Sequence, residues 1–181
     1  MAKNVAYLCS DFDGSAHRAM VHLDLQSIDL PDGSIDVVLT PHVLEHVPDT
    51  RRALSELYRV LAPGGKAFIQ IPMPQGVTAP PTEPEYHGDN TLVYWRFGWD
   101  LRKLLEEAGF SVDCLVTESL LARISTGNLD SGYGGDDCDE TDLLRHAEAS
   151  SLTPVATESE SRRYGFLPDF MFITWQAGKP G

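Results

Sequence analysis

At 181 residues, with 42% apolar side chains and a formal charge of −13 from 14 basic and 27 acidic groups, the chain has the length and composition of one domain with its own core. The acidic balance argues against a nucleic-acid partner, since phosphate binding requires clustered Lys and Arg. No apolar run approaches the roughly 18 residues of a membrane span, and Met1-Ala2-Lys3-Asn4 opens no signal-peptide pattern, so a cytoplasmic protein with no membrane partner is expected.

Three short strands are expected first, at Val5 to Cys9, Met20 to Asp24 and Ile35 to Thr40. Val37-Val38-Leu39 is apolar without alternation, the pattern of a parallel strand covered on both faces. A helix follows, capped by Asp49 or Thr50, with Ala53, Leu54, Leu57, Tyr58 and Leu61 as its apolar stripe. Pro63-Gly64-Gly65 is expected to stop it, and Lys66 to Ile71 forms the next strand. Five prolines between 72 and 86 mark a loop. A second helix is expected from Asp100 to Ala108, ended by Gly109 in a left-handed conformation. Strands at Phe110 to Thr117 and Asp169 to Ala177 close the list, and this pair is expected to be antiparallel.

Between those two strands, the stretch from Asp130 to Glu160 holds nine acids against one Arg. It reads as a solvated, flexible acidic insertion at about 125–163, with a possible short helix near Leu143 to Ala149. The alternation of strands and helices implies one α/β domain over residues 1–181 with a mostly parallel sheet. Cys9, Cys114 and Cys138 are odd in number and far apart, which argues against a disulfide framework and fits a reducing compartment.

The stretch from Asp24 to Pro72 is the most specific part of the chain. It runs Asp24-Leu25, Leu30-Pro-Asp-Gly-Ser-Ile-Asp-Val-Val-Leu39, His42-Val-Leu-Glu-His-Val-Pro-Asp49, then Arg59-Val-Leu-Ala-Pro-Gly-Gly65 and a strand ending at Pro72. Glu106-Glu-Ala-Gly-Phe110 extends it. This text resembles the class I S-adenosylmethionine-dependent methyltransferases of the small-molecule type. The resemblance implies a Rossmann-like sheet, S-adenosylmethionine as cofactor, and a small-molecule acceptor. It places Asp11, with Phe12 beside it, at the ribose hydroxyls, because a carboxylate offers two acceptors to two donors. Asp24 and Leu25 fall at the adenine, and Thr40, Pro41 and His42 near the methionine part. His42 and His46 become the candidate catalytic groups. The loop from Met73 to Phe97 would cover the acceptor, with Tyr94, Trp95 and Arg96 as substrate contacts.

His42-Val-Leu-Glu45-His46 also matches H-x-x-E-H, a zinc-protease signature. Pro48 breaks any long helix here and no third ligand stands at a suitable spacing, so no metal is expected. The family's opening strand and its E/D-x-G-x-G-x-G turn, whose backbone holds the methionine carboxylate, find no counterpart before Val5. The expected domain is therefore one with its first strand and helix missing, binding the cofactor weakly as a lone chain. A second copy or a partner chain is expected to complete the sheet. Asn128 to Gly135 offers glycines but no apolar strand ahead of them, and is not read as a displaced copy of that turn. The competing function class is a non-catalytic remnant that serves as a binding module.

Overall fold

The computed structural model describes residues 6–12, 19–72, 77–87, 90–118, 121–122, 126, 152–157, 159 and 173–181. Its centre is a five-stranded sheet of β3 (Ile35–Pro41), β4 (Leu61–Gln70), β9 (Ile173–Gly178), β7 (Ser111–Thr117) and β8 (Leu152–Ala156), in that spatial order. β3 and β4 are parallel, as are β7 and β8, while β9 runs against both of its neighbours. Four strands therefore point one way and the closing strand opposes them, as the sequence leads one to expect. Two small sheets lie outside it: β1 (Ser10–Asp11) with β2 (Val21–His22), parallel, and the hairpin of β5 (Glu85–Tyr86) with β6 (Leu92–Val93).

Helix α1 (Thr50–Val60) begins where Asp49 Oδ1 accepts a hydrogen bond from Arg52 N at 2.9 Å, satisfying one of the free first-turn donors. Its Ala53, Leu54, Leu57 and Val60 are buried, the three-and-four spacing of one helical face. At its other end Lys179 Nζ donates to Tyr58 O and Leu61 O at 2.9 and 2.7 Å, so a residue beyond the last strand caps the first helix. Helix α2 (Leu101–Glu107) ends at Gly109, φ +102°, with Tyr58 packed where a Cβ would stand. Leu54, Leu57, Ile69, Leu105 and Trp175 meet in one core.

Several expectations are corrected. The first strand lies at Ser10–Asp11, not at Val5 to Cys9, and its ladder with β2 opens with Val21 N donating to Cys9 O. Pro63-Gly64-Gly65 falls inside β4, where the ladder with β3 is irregular: Ile35 pairs with Leu61 and Val37 with Lys66. Gly65 is needed there, since a Cβ would stand 2.8 Å from Ala62 O and 3.1 Å from Asp36 O. Val37 and Leu39 are 55% and 66% exposed, so β3 is covered on one face, not two. The stretch expected to be purely a loop to residue 86 ends in β5, and the acidic insertion contains β8. The expected helix at Leu143 to Ala149 and the segment Asn128 to Gly135 lie outside the described residues.

Candidate active site

The carboxyl ends of β1 and β2 carry Asp11 and, two residues past β2, Asp24. Leu23 N donates to Asp11 O at 3.1 Å, which brings the two acids to the same end of the parallel pair. Asp24 Oδ1 accepts from Gln26 N and Gln26 Nε2 at 2.8 and 3.3 Å. The Gln26 side-chain oxygen accepts from Asp49 N, and the Gln26 carbonyl from Arg52 Nε. The acid is thereby tied to the start of α1. Leu23 and Leu25 pack against the core, whereas Phe12 is largely exposed.

At the carboxyl end of β3, Thr40 is buried and its Oγ1 has no hydrogen-bond partner. Pro41 follows, and then His42 in the left-handed region, φ +52°. His42 is held there by donating its backbone N–H to Gln70 O at 2.8 Å. A side chain other than glycine pays for that conformation. The next residues form only a single 3₁₀ turn, Leu44–His46, because Pro48 lies ahead. His42 and His46 are thus not two positions on one helix face, as the H-x-x-E-H spacing would have them. They flank Glu45.

Glu45 is the least expected group in the site. It is 1% exposed, and among the described residues neither carboxylate oxygen has a hydrogen-bond partner. Its nearest polar neighbours are two rings, with His42 Nδ1 3.6 Å and His46 Nε2 3.9 Å from Oε1. His46 Nδ1 lies 2.8 Å from Leu92 O. A carbonyl only accepts, so Nδ1 carries the proton and the neutral ring presents its lone pair at Nε2. His87, from the β5–β6 hairpin, meets the His46 ring edge-on with centroids 4.6 Å apart. No spacing rule in the sequence brings residue 87 to residue 46; the hairpin does it.

That hairpin is fastened at several points. Tyr94 N and Trp95 N both donate to Glu45 O, and Trp95 Nε1 donates to Pro48 O at 3.0 Å. Arg96 Nε donates to Glu85 Oε2 at 2.8 Å, spanning the hairpin's base. Asp100 Oδ1 accepts from Thr78 N and Oγ1. Of the three residues expected to touch substrate, Trp95 and Arg96 are therefore engaged in fastening the hairpin, and Tyr94 is partly exposed.

The comparisons with known proteins point to methyltransferases. Residues 3–69 match the family model of the methyltransferase domain. A probable S-adenosylmethionine-dependent methyltransferase of Mycolicibacterium smegmatis is 33% identical over 119 residues, which are 63% of this chain and 42% of that protein. The 27-O-demethylrifamycin SV methyltransferase of Amycolatopsis mediterranei is 25% identical over 163 residues, 88% of this chain and 58% of that one. The chain thus spans about half the length of these curated relatives. In fold it is similar to an S-adenosylmethionine-dependent methyltransferase from Mesorhizobium loti, with a TM-score of 0.51 and 16% identity over 95% of this chain and 80% of the other. Residues 3–69 are thus similar to the methyltransferase domain, and the relatives named here are methyltransferases.

Proposed function

We propose that the chain transfers a methyl group from S-adenosylmethionine to a small-molecule acceptor. The observation that carries this reading is the convergence of Asp11 and Asp24 at the carboxyl ends of β1 and β2, where α/β proteins bind ligands, within the stretch that matches the family. The donor set suits the cofactor. Asp11 would take the ribose hydroxyls, with Phe12 beside it, and Asp24 the adenine amino group, with Leu25 beneath. The unpartnered Thr40 Oγ1 offers a buried polar atom on the methionine side, next to Pro41 and His42.

S-adenosylmethionine supplies a methyl group on a sulfonium sulfur, and the chain's task is to align an acceptor with it and take up the acceptor's proton. His42 and His46 are the candidates for the second part. With Nδ1 of His42 turned towards Glu45, its Nε2 lies on the other side of the ring, available to an acceptor. The buried Glu45 carboxylate would stabilise whichever imidazolium forms, as the acid of a catalytic triad does. Tyr94, Trp95 and Arg96 would form the acceptor wall.

No E/D-x-G-x-G-x-G turn occurs in these 181 residues, so the chain on its own would bind the cofactor weakly. Two charge-assisted backbone contacts at roughly 1.5–3 kcal/mol each amount to about a hundredfold or more in affinity. The exposed Val37 and Leu39 on the edge strand β3 support pairing with a second copy or a partner chain. The free thiols of Cys9 and Cys114 favour a reducing, cytoplasmic setting, and no helix among the described residues is long and apolar enough to cross a membrane.

Calorimetric titration with S-adenosylhomocysteine tests the reading. One saturable site is expected, weakened at least about tenfold by Asp24→Asn, in line with the loss of a charged hydrogen bond. No saturable binding up to millimolar ligand would overturn it.

A further inference from the structure

Among the described residues no hydrogen-bond donor reaches the buried Glu45 carboxylate. A buried polar group without hydrogen bonds is costly to keep, and the groups nearest to this one are metal-ligating in type. Two imidazoles converge on it, making a group of three possible ligands. One ligand atom each from Glu45, His46 and His87 lies within 4.8 Å of the other two, a spread that small side-chain rotations would draw onto one ion. The set of two imidazoles and one carboxylate is that of transition-metal centres with open coordination positions.

The surroundings prepare each donor. His46 gives its Nδ1 proton to Leu92 O, the outer contact that typically orients a metal-binding imidazole and fixes its lone pair on the other nitrogen. His87 is held by its own turn, donating N–H to Thr91 O at 3.0 Å and accepting from Asn90 N at 2.8 Å. Asn90 takes a left-handed backbone, φ +66°, to close that turn. Glu45 is held through its carbonyl, which takes two N–H donors from the strand leading out of the hairpin. His42 Nδ1, at 3.6 Å from the same carboxylate oxygen, stands at the margin of the cluster.

We propose that Glu45, His46 and His87 form a binding site for a divalent transition cation, with Zn2+ as the favoured ion, and that the ion clamps the β5–β6 hairpin onto the 3₁₀ turn. A dication brings charge to a carboxylate that has no hydrogen-bond donor among the described residues. Once the ion is seated, the Nε2 lone pair of His46 is used and proton uptake falls to His42 alone. The open coordination position would face an oxygen or nitrogen donor of the acceptor. The site does not depend on the cofactor, and its test needs none.

Untagged chain, stripped with chelator, is titrated with Co2+ and followed by visible absorption, then with Zn2+ by calorimetry and elemental analysis. One equivalent is expected, with the absorption of a low-coordinate Co2+ site and a Zn2+-dependent rise in melting temperature. His87 is only partly buried, so His87→Ala should keep the fold, by circular dichroism, while weakening binding at least about tenfold, the least that loss of even an outer contact costs. Glu45→Gln should lose the Zn2+-induced shift yet melt close to the metal-free parent, because Gln fills the same space and no hydrogen bond to the carboxylate is lost. His22→Gln, at an exposed position outside the cluster, should bind as the parent does. Less than one equivalent in the parent, or unchanged affinity in His87→Ala, would overturn the proposal.

Discussion

Glu56 and Arg59 form the best-defined charged contact among the described residues. Arg59 reaches the Glu56 carboxylate at 2.9 Å, Asp32 at 2.6 Å, and the carbonyls of Ile28 and Leu30, while Glu56 Oε2 accepts from Ile28 N. Hydrogen bonding to the Arg59 guanidinium holds the Glu56 carboxyl down from 4.5 to about 2, against a smaller opposing push from burial. The folded value lies below the unfolded one, so this stabilisation is complete above pH 4.5 and drains away as pH falls towards 2. Urea midpoints measured between pH 6 and pH 2.5 should fall less steeply for Glu56→Gln than for the parent. Parallel curves would mean the clamp contributes nothing. Cys114 is the opposite case: burial pushes its thiol up to about 12, and the thiolate is the reactive form. At pH 8 a disulfide reagent should leave Cys114 untouched in the native chain and modify it only after denaturant is added, which peptide mapping would show.

The elements owe their stability to tertiary contacts more than to propensity. Helix α1 has an apolar stripe that any reading of the sequence finds, but Leu54 also has no solvent exposure at all. Leu54→Ala should cost about 2–5 kcal/mol, read from chemical denaturation. The Asp49 cap is worth about 1 kcal/mol, so Asp49→Ala should cost clearly less than Leu54→Ala; the reverse order would contradict the burial. Gly65 tests the β3–β4 ladder. Two backbone oxygens sit within 3.1 Å of where its Cβ would go, and backbone cannot rotate aside. Gly65→Ala should therefore lower the melting temperature by several degrees, while Gly64→Ala would be penalised only for its positive φ, there being no atom within 4 Å.

For the whole molecule the decisive feature is the sheet's order. β3 ends the sheet, and among the described residues its outer flank pairs with nothing. An exposed edge whose side chains include Val37 and Leu39 is a template for strand addition. Light scattering after size exclusion should show concentration-dependent self-association of the lone chain, reduced by Leu39→Lys. A strict monomer at high concentration would remove the case for a partner on that edge. By contrast, the β9 side is closed by two antiparallel neighbours, and the Trp99–Trp175 pair packs edge-to-face beneath it.

Much of this was legible in the residues themselves. The apolar periodicity of 53–61 and 101–108, the turn at Gly109 and the apolar runs of β4, β7 and β9 are local patterns, and locally encoded elements can be read from one segment at a time. The resemblance carried by Asp24 to Pro72 falls largely within the residues that match the methyltransferase domain model. Other features depend on contacts distant in sequence. That Lys179 caps α1, that β8 joins the sheet from within an acidic stretch, and that β3 is bare on one face are outcomes of strand order, which no single segment contains. The site divides the same way. Asp11, Asp24, His42 and His46 could be picked out by spacing and resemblance. The buried, unpartnered Glu45 and the arrival of His87 beside it came only from the hairpin folding onto the 3₁₀ turn, because burial and the meeting of residues 46 and 87 are properties of packing, and packing is not written in spacing.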